Sequence, residues 1–543
     1  MKEKKRKRTS DVWNDFVEID RDVVKQPQFL VVESKEADGG FTVSNFTYDH
    51  SRVLELASHM ILYHEYPFSL IEHVVFNKFM SANTLYWEKM SRATAKKECM
   101  KTYENEKTKL RALLKHVNKF HITTDMWTSC QKLSYMVVTC HFINFDWHLQ
   151  RRVLNFCNVP PPHTGLLIAD ALEKYFQNWE IENKIISITV DNASSNDVVI
   201  RILKDDFRLK KTLSVSGQLF HVCCCAHITN LLVQYGLGEI KDIVDFLEMK
   251  LILDVPTRWN NTYLMLDVAI QFKEVLSRYG DRDKSIFNEV TNIVSGSDYP
   301  TANLFLSEIW KMKDTLGKKS RDENEYMKSM VRKMSAKFDK YLGKYNLLMS
   351  IAAFCFLLIY QRPEAAKNID HVSQVLLELY NEYVHEYNST LEAQREQDNA
   401  RMNIFGSSSS VGIGRSMQSG QSLFKSFVSK LDNYLEVSIY ICEEGSDASF
   451  DALEWWKTNS LKFQTLSKLA RDILATPITT VSSKSTFSAR DRVIDSHRAS
   501  LKTETVQMLL CESDWVRALY GLKRSSTNSM DVPSKTHILL PLQ

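Results

Sequence analysis

The sequence has no long uninterrupted hydrophobic segment and no strong excess of charge of either sign. The longest apolar run, residues 347–360, contains Ser350 and is shorter than the ~20 residues that a membrane-spanning helix needs. We therefore expect no membrane partner. The net charge is only +3 over 543 residues, so any surface that binds nucleic acid must be a local concentration of basic side chains.

Cysteine is absent from the first 98 residues, which excludes a cysteine-based zinc site there. The ten cysteines are scattered and no signal peptide opens the chain, so we expect a reducing intracellular compartment. The cluster Cys223-Cys-Cys-Ala-His227 is the one segment that invites a zinc interpretation. A structural zinc site needs four ligands, and no second pair at matching spacing is visible. We interpret the cluster as buried thiols with one positioned histidine, and expect no resident metal or other cofactor.

The middle of the chain alternates between patterns typical of strands and of helices. Three runs rich in β-branched and aromatic residues follow one another at residues 120–124, 135–143 and 149–156. Helical patterns at 164–179, 194–203 and 226–235 then alternate with strand patterns at 185–190 and 220–223. This order predicts an α/β fold of the ribonuclease-H-like type, in which the first and fourth strands lie side by side.

Two short segments place an aspartate at the end of a predicted strand. Asp125 lies within Ile122-Thr-Thr-Asp-Met-Trp-Thr-Ser129, and Asp191 within Ile188-Thr-Val-Asp-Asn-Ala-Ser-Ser-Asn-Asp197. On neighbouring strands these two carboxylates would share one end of the sheet, where sites usually form, and could share a divalent cation. The alternative is that each aspartate only caps the following turn or helix.

Basic residues concentrate in three places that are candidates for DNA contact. The first is the amino-terminal run, which acts either as a nuclear-import signal and phosphate-contacting arm or as a solvated tail. The second is the lysine-rich helical segment at 96–115, for which a solvated face is the alternative. The third is Arg258 with Trp259, a guanidinium beside a ring that either stacks on a base or belongs to the core. The residues of the amino-terminal run are Lys4, Lys5, Arg6, Lys7 and Arg8.

An ordered series of motifs resembles the hAT family of DNA transposases, in its plant branch of sleeper-type proteins. The motifs are residues 123–129 (TTDMWTS), 155–164 (NFCNVPPPHT), 189–197 (TVDNASSND), 224–227 (CCAH), 254–260 (DVPTRWN), 453–457 (LEWWK), 469–474 (LARDIL), 487–488 (FS) and 492–495 (RVID). The resemblance implies a ribonuclease-H-like domain interrupted by an all-helical insertion, with a helical carboxyl-terminal region that completes the core and dimerises.

The resemblance also implies a catalytic role for specific positions. Family catalysis uses two aspartates and a glutamate to hold metal ions, and the aspartates correspond to Asp125 and Asp191, with His227 nearby. The glutamate belongs to a Ser-Glu-x-x-Phe-Ser pattern, which here reads Ser483-Lys-Ser-Thr-Phe-Ser488. Because Lys484 replaces the acid, we expect the site to be vestigial, with Mg²⁺ relevant only if residual activity remains.

Other departures from the family concern the amino terminus and the predicted segments. Residues 10–16 resemble the start of a BED-type zinc finger whose cysteines do not follow, and a Leu-Asp-Pro-Arg motif expected after Ala353 is absent. The predicted organisation is a basic leader with zinc-finger remnant (1–42), a helical region that is a candidate for DNA binding (43–116), the first part of the core (117–260), a helical insertion (261–403), a flexible linker (404–424), the dimerisation region (425–520) and a disordered tail (521–543).

These observations together predict a nuclear, transposase-derived protein that is not an active enzyme. We expect it to dimerise with itself or with related hAT proteins, and to bind DNA as a transcriptional regulator. The alternatives are an active transposase whose third carboxylate is Glu454 or Asp495, a dimerisation partner of intact relatives that does not bind DNA, and a decayed gene product. The apolar residues assigned to the dimer contact are Leu453, Trp455, Trp456, Leu466, Leu469, Ile473, Leu474 and Phe487.

Overall fold

A computed structural model describes twelve stretches of the chain, which fall into two compact units, residues 1–105 and 106–543. Within the described residues, no helix combines the length and apolarity needed to cross a membrane. The described stretches are 29–34, 41–46, 49–83, 87–128, 133–237, 286–296, 298–321, 325–342, 346–354, 366–404, 451–486 and 501–521.

The first unit contains a β-hairpin followed by helices. Strand β1 (Phe29–Ser34) pairs antiparallel with β2 (Phe41–Phe46). The helices are α1 (His50–His64), α2 (Val74–Asn83) and the beginning of α3 (Arg92–Lys115). The prediction that the helical region starts at residue 43 is wrong, because 43–46 belong to β2. Four of the six residues of β2 are aromatic or β-branched, a composition that favours a strand.

A five-stranded mixed sheet forms the centre of the second unit. Its strands are β3 (Phe120–Thr128), β4 (Ser134–Ile143), β5 (Leu149–Asn158), β6 (Ile185–Val190) and β7 (His221–Cys223), in the spatial order β5-β4-β3-β6-β7. β3 pairs antiparallel with β4 and parallel with β6. The predicted ribonuclease-H-like order, with the first and fourth strands of this region side by side, is confirmed.

Helices cover the sheet, so that its inner strands β4 and β6 are buried on both faces. Every residue of β4 and of β6 is buried. The covering helices from this part of the chain are α4 (Gly165–Trp179), α5 (Ser194–Leu209) and α6 (Cys225–Leu237). A Cβ at Gly165 would lie 2.6 Å from Cγ1 of Val198, so glycine at this position allows α4 and α5 to approach closely.

The described part of the helical insertion shares one apolar core with the carboxyl-terminal helices. Its helices are α7 (Ile286–Val294), α8 (Phe305–Lys319), α9 (Glu325–Tyr341), α10 (Leu347–Phe354) and α11 (Ala366–Ile404). The carboxyl-terminal helices are α12 (Ala452–Asn459), α13 (Gln464–Leu474) and α14 (Thr503–Leu519), and residues 481–486 are also helical. The apolar side chains of α8 to α13 form a continuous buried cluster.

The carboxyl-terminal helix α14 completes the α/β core at strand β5. The register of β4 against β5 shifts between Val138 and Thr139, so the ladder is irregular there. The backbone N–H of Val153 on β5 donates to Oδ2 of Asp514 (3.0 Å), and its carbonyl accepts from Nε1 of Trp515 (2.8 Å). Side chains of α14 thus satisfy backbone groups that would otherwise be buried without partners.

Candidate functional site

The strand register brings Asp125 and Asp191 to the same edge of the sheet. In the parallel pairing of β3 with β6, Thr123 lies opposite Thr189. Asp125 and Asp191 each follow these partners by two residues, so they lie level at the carboxyl end of adjacent strands. β3 itself continues to Thr128, because it still pairs with β4 beyond the last residue of β6.

The side chain of Asp125 is only 10% exposed. Its Oδ1 accepts a hydrogen bond from the backbone N–H of Met126 (2.9 Å). Its Oδ2 is 3.5 Å from the hydroxyl of Thr480, which donates to it, and 3.7 Å from Nζ of Lys484. An ammonium group therefore occupies the side of the carboxylate that faces the carboxyl-terminal segment.

The pKa of Asp125 is raised from its usual 3.8 to about 6, chiefly because burial disfavours the charged form. The neighbouring charge of Asp191 acts in the same direction, whereas the Lys484 ammonium lowers the pKa. The two aspartates are therefore close enough to repel each other electrostatically. A shared cation would reduce this repulsion, and in this protein the ammonium group of Lys484 partly reduces it.

Asp191 combines its place at the sheet edge with a capping role. Its Oδ1 accepts from the backbone N–H of Ala193 (3.2 Å) and from the side-chain amide of Asn196. These bonds hold the turn that leads into α5, whose own N-cap residue Ala193 provides no side-chain acceptor. The capping interpretation of this aspartate therefore applies, with both bonds made by one carboxylate oxygen, whereas its sharing of a cation with Asp125 stays a prediction.

Lys484 is held at the site by a segment that crosses the ends of β6 and α6. The Thr189 hydroxyl donates to the carbonyl of Pro477 (2.7 Å), and the backbone N–H of Cys225 donates to the carbonyl of Ile478 (2.9 Å). The hydroxyl groups of Ser483 and Thr123 are 2.8 Å apart in the buried interior. The segment that precedes Lys484 is therefore anchored to β3, β6 and α6, although the Lys484 side chain is 47% exposed.

The cysteine cluster next to the site consists of thiols embedded in the protein. Sγ of Cys224 accepts from the backbone N–H (3.3 Å) and hydroxyl (3.5 Å) of Thr480. Burial raises the pKa of Cys225 to about 12 and that of Cys223 to about 11, so both remain protonated thiols. His227 is half-buried in the first turn of α6, which places it at the same edge of the sheet as Asp191.

The residues that surround the aspartates do not fit a divalent metal ion. Mg²⁺ takes oxygen ligands, usually carboxylates and water, and here a cation already faces one of the two carboxylates. In the described ranges no three acidic, histidine or cysteine side chains form a group that would hold a metal. Glu454, the candidate third carboxylate, lies on α12 with its Oε2 3.6 Å from Nζ of Lys457, and Asp495 lies outside the described residues.

The apolar residues assigned to the dimer contact lie mostly inside the single chain. Leu453 and Trp455 are half-buried and pack against the apolar cluster. Helices α10 and α11 contact α13, so the high apolar content of α13 has an internal structural cause. Their role in a dimer stays a prediction, and Phe487 lies outside the described residues. The fully buried members are Trp456, Leu466, Leu469, Ile473 and Leu474.

The lysine-rich segment 96–115, a candidate for DNA contact, lies in α3, where Lys101 and Lys109 form ion pairs with Glu98 and Glu106. The other candidate DNA-contacting residues named from the sequence lie outside the described residues. These are Arg258, Trp259 and the amino-terminal Lys4, Lys5, Arg6, Lys7 and Arg8. The structure adds two site residues that sequence reasoning did not single out, Thr480 and Asn196. Thr480 precedes Lys484 by one helical turn, and its carbonyl accepts from the Lys484 backbone N–H (3.0 Å). The four-residue spacing between them is the sequence signal that could have identified Thr480.

Comparison with protein families matches successive parts of the chain to transposase domains. The hAT family C-terminal dimerisation region matches residues 430–516, and the hAT-like transposase RNase-H fold matches 303–383. The ZBED1 RNase-like domain matches residues 123–219, and its helical domain matches 245–298. The fold and these matches define the class as a transposase-like protein with a ribonuclease-H fold and a dimerisation region.

Whole-chain comparisons place the chain within one family of that class. It is 30% identical over 553 residues to the zinc finger BED domain-containing protein RICESLEEPER 2 of Oryza sativa subsp. japonica, covering 88% of this chain and 76% of the relative. DAYSLEEPER of Arabidopsis thaliana is 26% identical, over 84% of this chain and 72% of its own length. The maize "Putative AC transposase" is 29% identical over 88% of this chain, which spans 66% of that relative. The chain belongs to the sleeper-type family of hAT transposase-like proteins.

Proposed function

We propose that this protein is a nuclear, DNA-binding dimer derived from a hAT transposase and lacking its catalytic activity. The observation that carries the proposal is the 3.7 Å separation between Nζ of Lys484 and Oδ2 of Asp125. A positive side chain lies beside the carboxylate that the resemblance assigns to the metal. DNA binding without strand cleavage would leave the protein bound to its site, which is the behaviour of a transcriptional regulator.

Electrostatics explains why Lys484 disfavours a metal ion. At about 4 Å and an effective dielectric constant of 20, two unit charges interact by about 4 kcal/mol. A divalent ion beside the carboxylate would lose the attraction of a glutamate and gain repulsion from the ammonium. Even after reduction for the exposure of Lys484, the difference amounts to several kcal/mol, which corresponds to at least two orders of magnitude in metal affinity.

Dimerisation rests on the family match to residues 430–516. The expected partners are a second copy of this chain or related hAT proteins, and sedimentation of the purified chain measures the first directly. Nuclear localisation rests on the basic run of residues 2–8. A fluorescent fusion that loses nuclear accumulation when this run is neutralised supports that part, and unchanged accumulation refutes the role of the run.

Two experiments on the purified full chain test the proposal. The first is binding to duplex DNA over a salt series, where a steep loss of affinity with salt indicates phosphate contacts. The second is strand cleavage in Mg²⁺ or Mn²⁺, with Asp191→Ala as a comparison. We expect binding and no cleavage. Cleavage by the parent that disappears in Asp191→Ala would establish the active transposase, and a folded dimer without DNA affinity would establish the partner-only alternative.

A further inference from the structure

We propose that the outer surface of α6 and α9 is a DNA-backbone contact, a role that rests on the proposed DNA binding. We call this surface the α6–α9 basic face and define it by Tyr235 on α6 and by Lys333, Lys337, Lys340 and Tyr341 on α9. It belongs to the helical insertion and its junction with the core. None of its residues belongs to the amino-terminal run or to the Arg-Trp pair named from the sequence.

Charge and helical spacing put three lysines on one stripe of α9. The helix carries five basic and two acidic residues. Lys333, Lys337 and Lys340 follow one another by four and three residues, which aligns them along about 10 Å of the helix. The opposite side is the core side, where Val331, Met334 and Phe338 are buried.

The acidic residues of α9 lie away from this stripe. Glu325 pairs with Lys328 across 2.7 Å on the neighbouring stripe. Asp339 precedes Lys340 by one residue, which turns it about 100° around the helix. In the described part of the chain, the ion pairs of α8 and α9 hold Lys311, Lys318 and Lys328 against acids on their own helices, and neither Lys337 nor Lys340 has an acid within ion-pair distance.

Tyr235 positions one of these ammonium groups. Nζ of Lys337 lies 3.8 Å from the centroid of the Tyr235 ring, and Nζ of Lys340 lies 5.0 Å from that of Tyr341. A side-chain hydrogen bond with Lys337, together with the lysine charge, lowers the pKa of Tyr235, and the same hydrogen bond raises the pKa of Lys337. A cation held over a ring loses less conformational freedom when it binds a phosphate, so the contact is partly pre-organised.

The approach of the two helices depends on a glycine beside the tyrosine. A Cβ at Gly236 would lie 2.7 Å from Sδ of Met334 on α9. A side chain here would displace Met334 and move the two helices apart. The same crossing brings Tyr235, which is 45% exposed, alongside Lys337. The close packing of α6 against α9 therefore places Tyr235 and Lys337 next to each other on the outer surface.

The test compares two double variants of the full chain in binding to a duplex DNA of arbitrary sequence. One is Lys337→Gln with Lys340→Gln. The control, Lys318→Gln with Lys328→Gln, removes the same charge from lysines that the structure shows in ion pairs with Asp314 and Glu325. Each phosphate contact contributes about 0.9 to the slope of log affinity against log salt concentration, so the first variant should lower the slope by about 2.

The expected result is a lower salt slope and at least about fivefold weaker binding at 50 mM salt for the first variant only. Tyr235→Leu should weaken binding about two- to fivefold, and Tyr235→Phe, which keeps the ring, should retain the parent affinity. Equal behaviour of the two double variants, with a parent that binds DNA, overturns this inference alone. A folded parent that does not bind DNA overturns both the inference and the proposed DNA binding.

Discussion

Replacing Asp125 by asparagine should stabilise the protein, and the gain should grow with pH. The pKa of this carboxyl is about 6 in the folded protein and 3.8 ordinarily, so the folded state binds its proton more tightly. The resulting stability is fully present below pH 3.8 and is lost as the pH rises through 6. Asparagine has no charge to bury, so the variant avoids that loss. With 1.36 kcal/mol per pKa unit, the gain is about 1 kcal/mol at pH 4.5 and about 3 kcal/mol at pH 8.

The assay is urea unfolding followed by tryptophan fluorescence at these two pH values. The value of about 6 already includes the favourable effect of Lys484, whose charge lowers the pKa of Asp125. Asp170→Asn on the exposed side of α4 is the matched control, because that carboxylate is 54% exposed and is paired with Lys174. An Asp125→Asn protein that is no more stable than the parent at pH 8, or whose gain does not grow from pH 4.5, would refute the reasoning.

Three further substitutions test the packing that positions the site. Tyr383→Phe removes a 2.7 Å hydrogen bond to the buried carboxylate of Asp472, whose pKa is raised to about 6 by burial. Loss of this bond should raise the pKa of Asp472 further and lower the free energy of unfolding in urea by about 1–3 kcal/mol at pH 8. The loss should be smaller at pH 5, where the carboxyl is protonated. Asp514→Ala leaves the Val153 N–H without its acceptor and should cost about 1–3 kcal/mol, visible as faster amide exchange in β5. Trp456→Ala empties a fully enclosed site and should cost about 3–5 kcal/mol, measured as a lower urea midpoint; a cost below 1 kcal/mol would contradict its place in the core.

Local sequence patterns were sufficient to predict the sheet and the pairing of the two aspartates. The strands of the sheet have strong β-branched and aromatic content, and the order of strands and helices predicted that β3 and β6 are neighbours. The parallel register then brings Asp125 and Asp191 level. The strands and the adjacent positions of the two aspartates therefore follow from local residue patterns and from the rule that sites form at the carboxyl ends of neighbouring strands.

The contact between Lys484 and Asp125 could be anticipated only from the resemblance. The two residues are separated by the whole helical insertion, and no periodicity links them. The hydroxyl network that anchors the segment, such as Thr123 with Ser483, also joins distant parts of the chain. Serine and threonine at these positions carry no pattern that distinguishes a buried network from a solvated loop.

The apolar residues of α12 and α13 show a different limit of sequence reasoning. Their density led us to assign them to a dimer contact, whereas Leu469 and Ile473 are buried within the single chain. Hydrophobic periodicity reports that a face is buried, but it does not report which surface covers it. The three-dimensional arrangement of α10 and α11 supplies that information.

Titration of Mn²⁺ into the parent chain and into Lys484→Glu tests the central claim most directly. Lys318→Glu, with the same change of charge on α8, serves as the control for a general electrostatic effect. We expect no saturable Mn²⁺ binding at the site in the parent chain or in the control. We expect saturable binding in Lys484→Glu, and adding Asp125→Ala to that variant should abolish it. Tight, Asp125-dependent Mn²⁺ binding by the parent would contradict the claim that Lys484 has replaced the metal.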